Sequence, residues 1–455
     1  MLAAFTRLLS AEQYGNYVLV MAAASILSGT FFGWIGVAAN RYYPYHRDQS
    51  EVIGAAVFRG FALSISVAGI VGIFILLGRD LLMVKWFVIA AVFVVMVAQG
   101  WYDIALQSAN SQGSPVQYGL IAWTRAGISL VAGTVLVRFT DSAYGALGGL
   151  FLGAVVAAML FNPFTVKASK KSDAHKALAI QLFEYGFPLT FTFLSMLIVG
   201  NGDRLLLGWL QGPAAAAPYA AAYDLVQQAM GALMSVLFLS AFPSIVSELD
   251  RGDEVEALAQ TKVLGRMLVC VGAAAAVGLS MLSTEIASLV FGIQFRDEAA
   301  KVIPWIAFGI GVGCFKNLYL DLAFQFRRVT KIQGYVAVSV AILNLLLNIL
   351  LIPIFGTRGA AGATLVAFLL GAVASRIVGR RFYDLPLPSL NELAKILCGC
   401  FLMMAFLHSV SDIHIQALLL VKILLAALVY CACLWGLNFG GVRNHSLRRY
   451  FPWRW

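Results

Sequence analysis

Stretches of roughly 20 apolar residues recur along the whole chain, each long enough for a helix to cross a bilayer, and the short breaks between them hold most of the charges. Lipid rather than water is therefore the solvent such a chain must satisfy. Composition agrees: of 455 residues, 61% are hydrophobic and 12% charged, about half the charge of an ordinary soluble domain. A water-soluble surface cannot be built from this, and the expected fold is an all-α polytopic membrane protein.

Spans are expected at 14–39, 52–77, 81–105, 116–137 and 143–164, followed by a Lys-rich loop. A second group is expected at 187–210, 217–245, 263–291, 303–326, 332–355 and 359–379, and a final pair at 393–410 and 415–437. That makes about 13 transmembrane helices. The corresponding domains are a first lobe with its basic loop at 1–180, a second lobe at 181–385, an extra helix pair at 386–437 and a basic, aromatic tail at 438–455.

The net charge of +10 does not point to nucleic acid, because the Lys and Arg residues are spread over many short loops instead of one basic stripe. Alternate loops differ sharply. One set holds twenty basic residues, among them Arg41, Lys167, Lys170, Lys171, Arg327, Arg328, Arg376, Arg380 and the C-terminal arginines, and the other holds seven. The positive-inside rule then places the first set, and the C-terminus, in the cytoplasm of a bacterial cytoplasmic (inner) membrane protein. The tail NHSLRRYFPWRW mixes Arg with aromatic residues and suits a headgroup-level anchor.

Cys270, Cys314, Cys398, Cys400, Cys431 and Cys433 all lie in apolar segments, where cysteine acts as a small hydrophobe, so no secreted disulfide framework is expected. Cys398, Cys400, Cys431 and Cys433 fall at similar depth on the last hairpin, but residues two apart on a helix diverge by about 200°, so no metal is expected there. The first residues, MLAAFTRLLSAEQYG, do not read as a cleaved signal peptide. The five histidines fall in loops or at helix ends, and no cofactor or catalytic constellation is expected.

An internal duplication is visible. LLSAEQYGNYVLV matches LQGPAAAAPYAAAYD with Tyr17 over Tyr219, an offset of 202, and YGALGGLFLGAVVA matches AAGATLVAFLLGAVA with Gly145 over Gly362, an offset of 217. Each match opens an equivalent helix. The span at 187–210 has no complete partner, since the offset carries most of it before Met1. Thirteen thus reads as fourteen minus one, with a first helix expected to be missing.

LLSAEQYGNY at 8–17, GDRLLLGWLQGPAAAAPYAAAY at 202–223 and NLLLNILLIPIFGTRGAAGATL at 344–365 resemble the polysaccharide-transporter branch of the superfamily of multidrug, oligosaccharidyl-lipid and polysaccharide exporters. The resemblance covers essentially the whole chain. It implies a MATE-like fold: two six-helix lobes, here with the first helix truncated, around a cavity with alternating access, plus two C-terminal helices. It implies as substrate a lipid-linked oligosaccharide or polysaccharide precursor, flipped from the cytoplasmic to the outer leaflet. Membrane lipids and polymerase or glycosyltransferase machinery are the expected partners.

Ionisable residues inside spans are costly and each needs a partner, a wet cavity or a function. The cations are Arg59, Arg125, Arg204, Lys316 and Lys422. A lipid-linked sugar carries a phosphate that must cross a low-dielectric core, and Arg59, Arg125 and Lys316 are the candidates to meet it. The structural alternatives are an Arg59–Asp103 pair and an Arg204 that snorkels to the interface. Asp103, Asp224 and Asp321 are the candidates for a coupling ion. Gln99, Asp103 and Gln107 share one helix face, as do Asp224, Gln227 and Gln228, and interhelical hydrogen bonding would produce the same stripes. Asn344 and Asn348 also share a face, with Pro353 one turn beyond.

Two rival functions remain. An ion-coupled multidrug antiporter has the same architecture but favours an acidic cavity. A membrane-embedded polysaccharide polymerase or ligase needs a sizeable outer loop, and none expected here is much longer than about ten residues.

Overall fold

The computed structural model describes residues 1–43, 50–78, 85–161, 172–410 and 418–440. Among them all regular structure is helical. The order is α1 (Leu2–Leu8), α2 (Ala11–Tyr42), α3 (Ser50–Leu77), α4 (Trp86–Ser111), α5 (Pro115–Thr140), α6 (Ala143–Leu160), α7 (Ser172–Gln211), α8 (Pro213–Asp250), α9 (Glu254–Met281), α10 (Ser283–Val290), α11 (Arg296–Phe315), a π-helical segment (Lys316–Leu320), α12 (Leu322–Phe326), α13 (Thr330–Gly379), α14 (Leu390–Ser409) and α15 (Leu419–Gly436). The Lys-rich loop at 162–171 and the tail from 441 onward lie outside the described residues.

Eleven of the described helices are long and apolar enough to cross a membrane. One of them, α13, is broken at Gly356, and its arms 330–355 and 357–379 carry the two spans expected there. The window at 187–210 lies within α7. Over the described residues, the thirteen windows read from the sequence thus fall on helices. Two are interrupted. The window at 263–291 is cut after Met281, near a Ser280 hydroxyl that bonds back to the Ala276 carbonyl and so competes with the helix ladder. The window at 303–326 contains the π segment.

The chain packs as two compact units, Met1–Ala217 and Pro218–Trp455. In the first, α2 and α7 run along each other because glycines let their backbones approach. A Cβ at Gly208 would overlap the Leu19 side chain, one at Gly29 the Leu197 side chain, one at Gly186 the Trp34 backbone and, where α8 begins just beyond α7, one at Gly15 the Pro213 carbonyl. Lipid offers no hydrophobic drive for helices to associate, so close van der Waals contact between small residues supplies it. Trp34, Phe32, Ile53, Phe61 and Met96 fill the core beside this contact, and the Trp34 Nε1 donates to Ser64 Oγ at 3.3 Å. Polar ties set the helix starts: Ser10 caps α2, and the Gln13 side chain of α2 accepts from the Ala143 amide at the start of α6, at 2.9 Å.

Helices α5 and α6 form a hairpin turned at Asp141, whose φ of 46° and ψ of 40° lie in the left-handed region. Gly145, Gly149 and Gly153 of α6 face Val137, Gly133 and Ser129 of α5 with no room for a Cβ. The second unit repeats this in order: arm 330–355, a turn at Gly356 with φ 60° and ψ −134°, then arm 357–379. There Gly359 sits against the Leu351 carbonyl and Gly371 against Val340. The offset of 202 also carries α1, Leu2–Leu8, onto 204–210, the last two turns of α7.

The extra pair α14 and α15 is docked on α9 and α10 at three levels. Arg266 bonds Glu392, which also completes the Ser389 capping box. The Tyr430 hydroxyl donates to the Cys270 carbonyl at 2.9 Å, and Lys422 pairs with Glu285 at 2.7 Å. Cys400, Met403, Leu407 and Ala426 pack between these ties, so Cys400 acts as apolar filling, while Cys398 and Cys431 are exposed. Among the described residues no three His, Cys, Asp or Glu side chains are grouped to hold a metal.

Candidate functional site

Each unit holds a cluster of polar and charged groups around one of the carboxylates singled out from the sequence. In the first unit, α4 supplies Gln99, Tyr102 and Asp103, and α5 supplies Arg125. Arg125 Nη2 donates to Gln99 Oε1 at 2.5 Å. Gln99 Nε2 in turn donates to both carboxylate oxygens of Asp103, each at 3.2 Å. The guanidinium lies over the Tyr102 ring, 4.0 Å from its centroid, where the ring's negative face stabilises it. The Arg59–Asp103 pairing weighed from the sequence is not what forms, because Asp103 takes its hydrogen bonds from Gln99. Gln107, the third member of the stripe, turns its amide against Gly36 of α2, where a Cβ would stand 2.6 Å from its oxygen.

In the second unit Lys316 and Asp321 are both almost fully buried, at 3% and 2% exposure. Lys316 Nζ is 2.9 Å from Asp321 Oδ2, and Ser375, on the second arm of α13, donates to Asp321 Oδ1 at 2.7 Å. The ammonium also reaches Asn317 Oδ1 at 3.2 Å. Residues five apart on an α-helix point about 140° away from each other. The π segment removes that divergence: the Asp321 amide bonds the Lys316 carbonyl at 3.0 Å, an i to i+5 closure that brings the two side chains onto one face. The sequence reading gave Lys316 and Asp321 separate roles; the fold makes them one ion pair.

The two clusters occupy equivalent places in the duplication. The offset of 217 that superposes Gly145 on Gly362 also carries Gln99 onto Lys316, and Asp103 reaches Asp321 at an offset of 218. The π segment absorbs the one extra residue. Both units therefore hold a carboxylate, half-buried in the first and buried in the second, bonded by the side chain one turn earlier, an amide in the first unit and an ammonium in the second. The first unit draws its cation, Arg125, from the next helix.

The remaining candidates lie elsewhere. Arg59 is on the exposed side of α3, Asp224 is half-buried on α8, and neither joins these hydrogen-bond sets. Arg204 is buried in α7. Asn344 Nδ2 donates to Thr364 Oγ1 at 3.2 Å, which ties the arms of α13 together by interhelical hydrogen bonding. Lys422 is taken up by Glu285. Sequence reasoning missed Tyr102, Ser375 and Glu285. Nothing in their local sequence marks them, because each acts through a contact made by the fold. Chemically, the second cluster presents a cation already neutralised by a carboxylate in a poorly hydrated interior, and the first a half-buried cation bridged to its carboxylate by an amide. Lys316 can meet an anion only by exchanging its partner.

The comparisons with known proteins agree on the family. The polysaccharide biosynthesis protein family model matches residues 1–248, and the lipid II flippase MurJ family model matches residues 126–430. Among solved structures, a lipid II flippase MurJ in an inward closed conformation superposes with a TM-score of 0.77 at 15% identity, covering 97% of this chain and 96% of that one. An inward-facing multidrug resistance MATE family transporter superposes with a TM-score of 0.63 at 13% identity, covering 84% and 92%. No individually curated protein sequence matches the chain. At these identities the superpositions establish the fold, and the family models, each spanning more than half of the residues, establish the kinship. The chain is a multi-pass membrane protein and belongs to the polysaccharide-transporter and lipid-linked saccharide flippase branch of the multidrug, oligosaccharidyl-lipid and polysaccharide exporters.

Proposed function

We propose that this protein flips a lipid-linked oligosaccharide or polysaccharide precursor from the cytoplasmic to the outer leaflet by alternating access, and that it catalyses no covalent step. The observation that carries the reading is the match to the lipid II flippase family model across residues 126–430, a stretch that contains Lys316, Asp321 and Ser375. In this reading Arg125 and Lys316 meet the phosphate of the carrier, and Gln99, itself bonded to Asp103, and Asp321 hold them in place until it arrives. A phosphate entering a low-dielectric interior needs a fixed cation to offset its lost hydration, and Arg or Lys supplies one. The charge bias of the loops supports a cytoplasmic C-terminus and a bacterial inner-membrane location.

The test is transport by the purified full chain in proteoliposomes loaded with a fluorescent polyprenyl diphosphate saccharide. Movement between leaflets is expected for the wild type. It is expected to fall at least tenfold in Arg125→Gln with Asp103→Asn combined with Lys316→Gln and Asp321→Asn, a set that removes both cations together with the carboxylates beside them. Efflux of an organic cation with no movement of the saccharide lipid would favour the antiporter reading instead.

A further inference from the structure

Outside the two clusters, the second unit has a polar cavity at the ends of its helices. It lies where α8 gives way to α9 and where α12 ends, with a volume of about 230 Å³. Its lining is mixed in charge: Arg327 and Arg328 face Asp250 and Glu254, with Leu249 and Tyr383 among the less polar walls. The loop that carries the arginines belongs to the strongly basic set, so the charge bias puts this cavity at the cytoplasmic headgroup level.

Three features mark the cavity as a binding site. Arg328 holds a φ of 56° as the left-handed residue that closes α12, its amide on the Gln325 carbonyl at 3.0 Å and the Val329 amide on the Phe324 carbonyl at 2.9 Å, so the helix end itself fixes two consecutive arginines at the cavity. Arg327 is held at its Nε, which donates to the Phe382 carbonyl at 3.3 Å, while its Nη2 is 3.7 Å from Glu254 and its guanidinium lies 5.7 Å from the Tyr383 ring centroid. Tyr383 is partly buried, and that burial, with the Glu254 carboxylate beside it, raises its phenol against the pull of Arg327, so its hydroxyl stays neutral and able to donate. The site is also small. Sites for drug-sized ligands run to roughly 300–1,000 Å³, so a cavity this size fits a headgroup and not an oligosaccharide on its carrier.

We propose that this cavity binds the zwitterionic headgroup of an aminophospholipid of the inner leaflet, with the phosphate on Arg327 and Arg328 and the primary ammonium on Asp250 and Glu254. Paired acids and bases in one small pocket match a ligand that carries both charges; a purely anionic headgroup would meet the two carboxylates unfavourably. Arginine forks suit phosphate, and the carboxylates can accept hydrogen bonds from a primary ammonium, which a quaternary one cannot donate. The proposal goes beyond the flippase reading and does not depend on it.

The experiment measures the thermal stability of the purified full chain in detergent with added phosphatidylethanolamine, phosphatidylglycerol, phosphatidylcholine or water-soluble glycerophosphoethanolamine. Phosphatidylethanolamine is expected to raise the melting temperature most. Arg327→Gln with Arg328→Gln is expected to remove the response to every phospholipid, and Asp250→Asn with Glu254→Gln to remove the advantage of phosphatidylethanolamine over phosphatidylglycerol. If the double arginine variant does not fold, native mass spectrometry of Arg328→Gln alone replaces it, with at least a tenfold loss of retained phosphatidylethanolamine expected. Equal responses to phosphatidylethanolamine and phosphatidylglycerol in the wild type, or unchanged responses in the variants, would overturn the proposal. So would full protection by glycerophosphoethanolamine, which would assign the cavity to a soluble phosphoester. Saccharide-lipid transport, measured separately, bears only on the flippase reading.

Discussion

The two units use the same helix order to hold their carboxylates in different ways. In the first, Asp103 is bonded by a neutral amide, Gln99, and the cation comes from the next helix; in the second, Asp321 is bonded directly by Lys316 of its own helix, through a π turn. The first arrangement is half-buried and cushioned by the Tyr102 ring, whereas the second is almost fully buried and closed by Ser375. One inserted residue separates them. A single insertion between the two repeats has turned a stripe of hydrogen bonds into an intrahelical ion pair, and π turns of this kind occur often at functional positions.

The difference makes the second unit far more sensitive to loss of one partner. Lys316→Ala leaves Asp321 buried without its cation and is expected to cost about 3–5 kcal/mol, read as a loss of the folded membrane fraction and an early melt in detergent. Lys316→Gln should recover a large part of that loss, because an amide can serve Asp321 as Gln99 serves Asp103. If Lys316→Gln and Lys316→Ala melt together, the equivalence of the two clusters is wrong. Gln99→Ala, by contrast, removes a half-buried hydrogen-bond bridge and should cost about 1–3 kcal/mol.

The hairpins differ in the same spirit. On α6, Gly145, Gly149 and Gly153 are pressed onto α5, while their counterparts at the offset of 217 are Gly362, with nothing near its missing Cβ, and Val366 and Leu370, which are exposed. Gly149→Ala is therefore expected to destabilise the first unit by about 1–3 kcal/mol or more through overpacking, and Gly362→Ala to leave stability within about 0.5 kcal/mol. Thermal melts of the two variants side by side would show it, and equal effects would mean the hairpins pack alike. At the turns the ranking reverses: Gly356→Ala forces an alanine into φ 60° and ψ −134°, at about 1–3 kcal/mol, while Asp141→Gly, at a position whose φ of 46° an Asp tolerates, should change stability by less than about 1 kcal/mol.

A good deal of this was legible without the fold. Lengths of apolar sequence marked the helices, because a bilayer demands a fixed span and full backbone bonding within it. The duplication was visible at Tyr17 and Tyr219 and at Gly145 and Gly362, positions where small or turn-forming residues recur at helix starts. The short list of buried charges was also readable, since Arg125, Lys316 and Asp321 stand out against an apolar background. Their partners were not. Read as a regular helix, Lys316 and Asp321 point apart, and only the π closure between them shows otherwise.

By itself the sequence determined that this chain lives in lipid as a many-helix protein, that two sets of those helices are related, and which ionisable groups must be accounted for. The tertiary structure alone decided which faces meet, and so that Ser375, 54 residues away, completes the Asp321 pair, that Arg125 rests on Tyr102, and that Glu285 receives Lys422. The physical reason is that every face of a membrane helix is apolar enough for lipid. Hydropathy therefore cannot say which face turns inward, and that choice falls to small residues, one-residue insertions and buried hydrogen bonds whose effect appears only when the helices are packed.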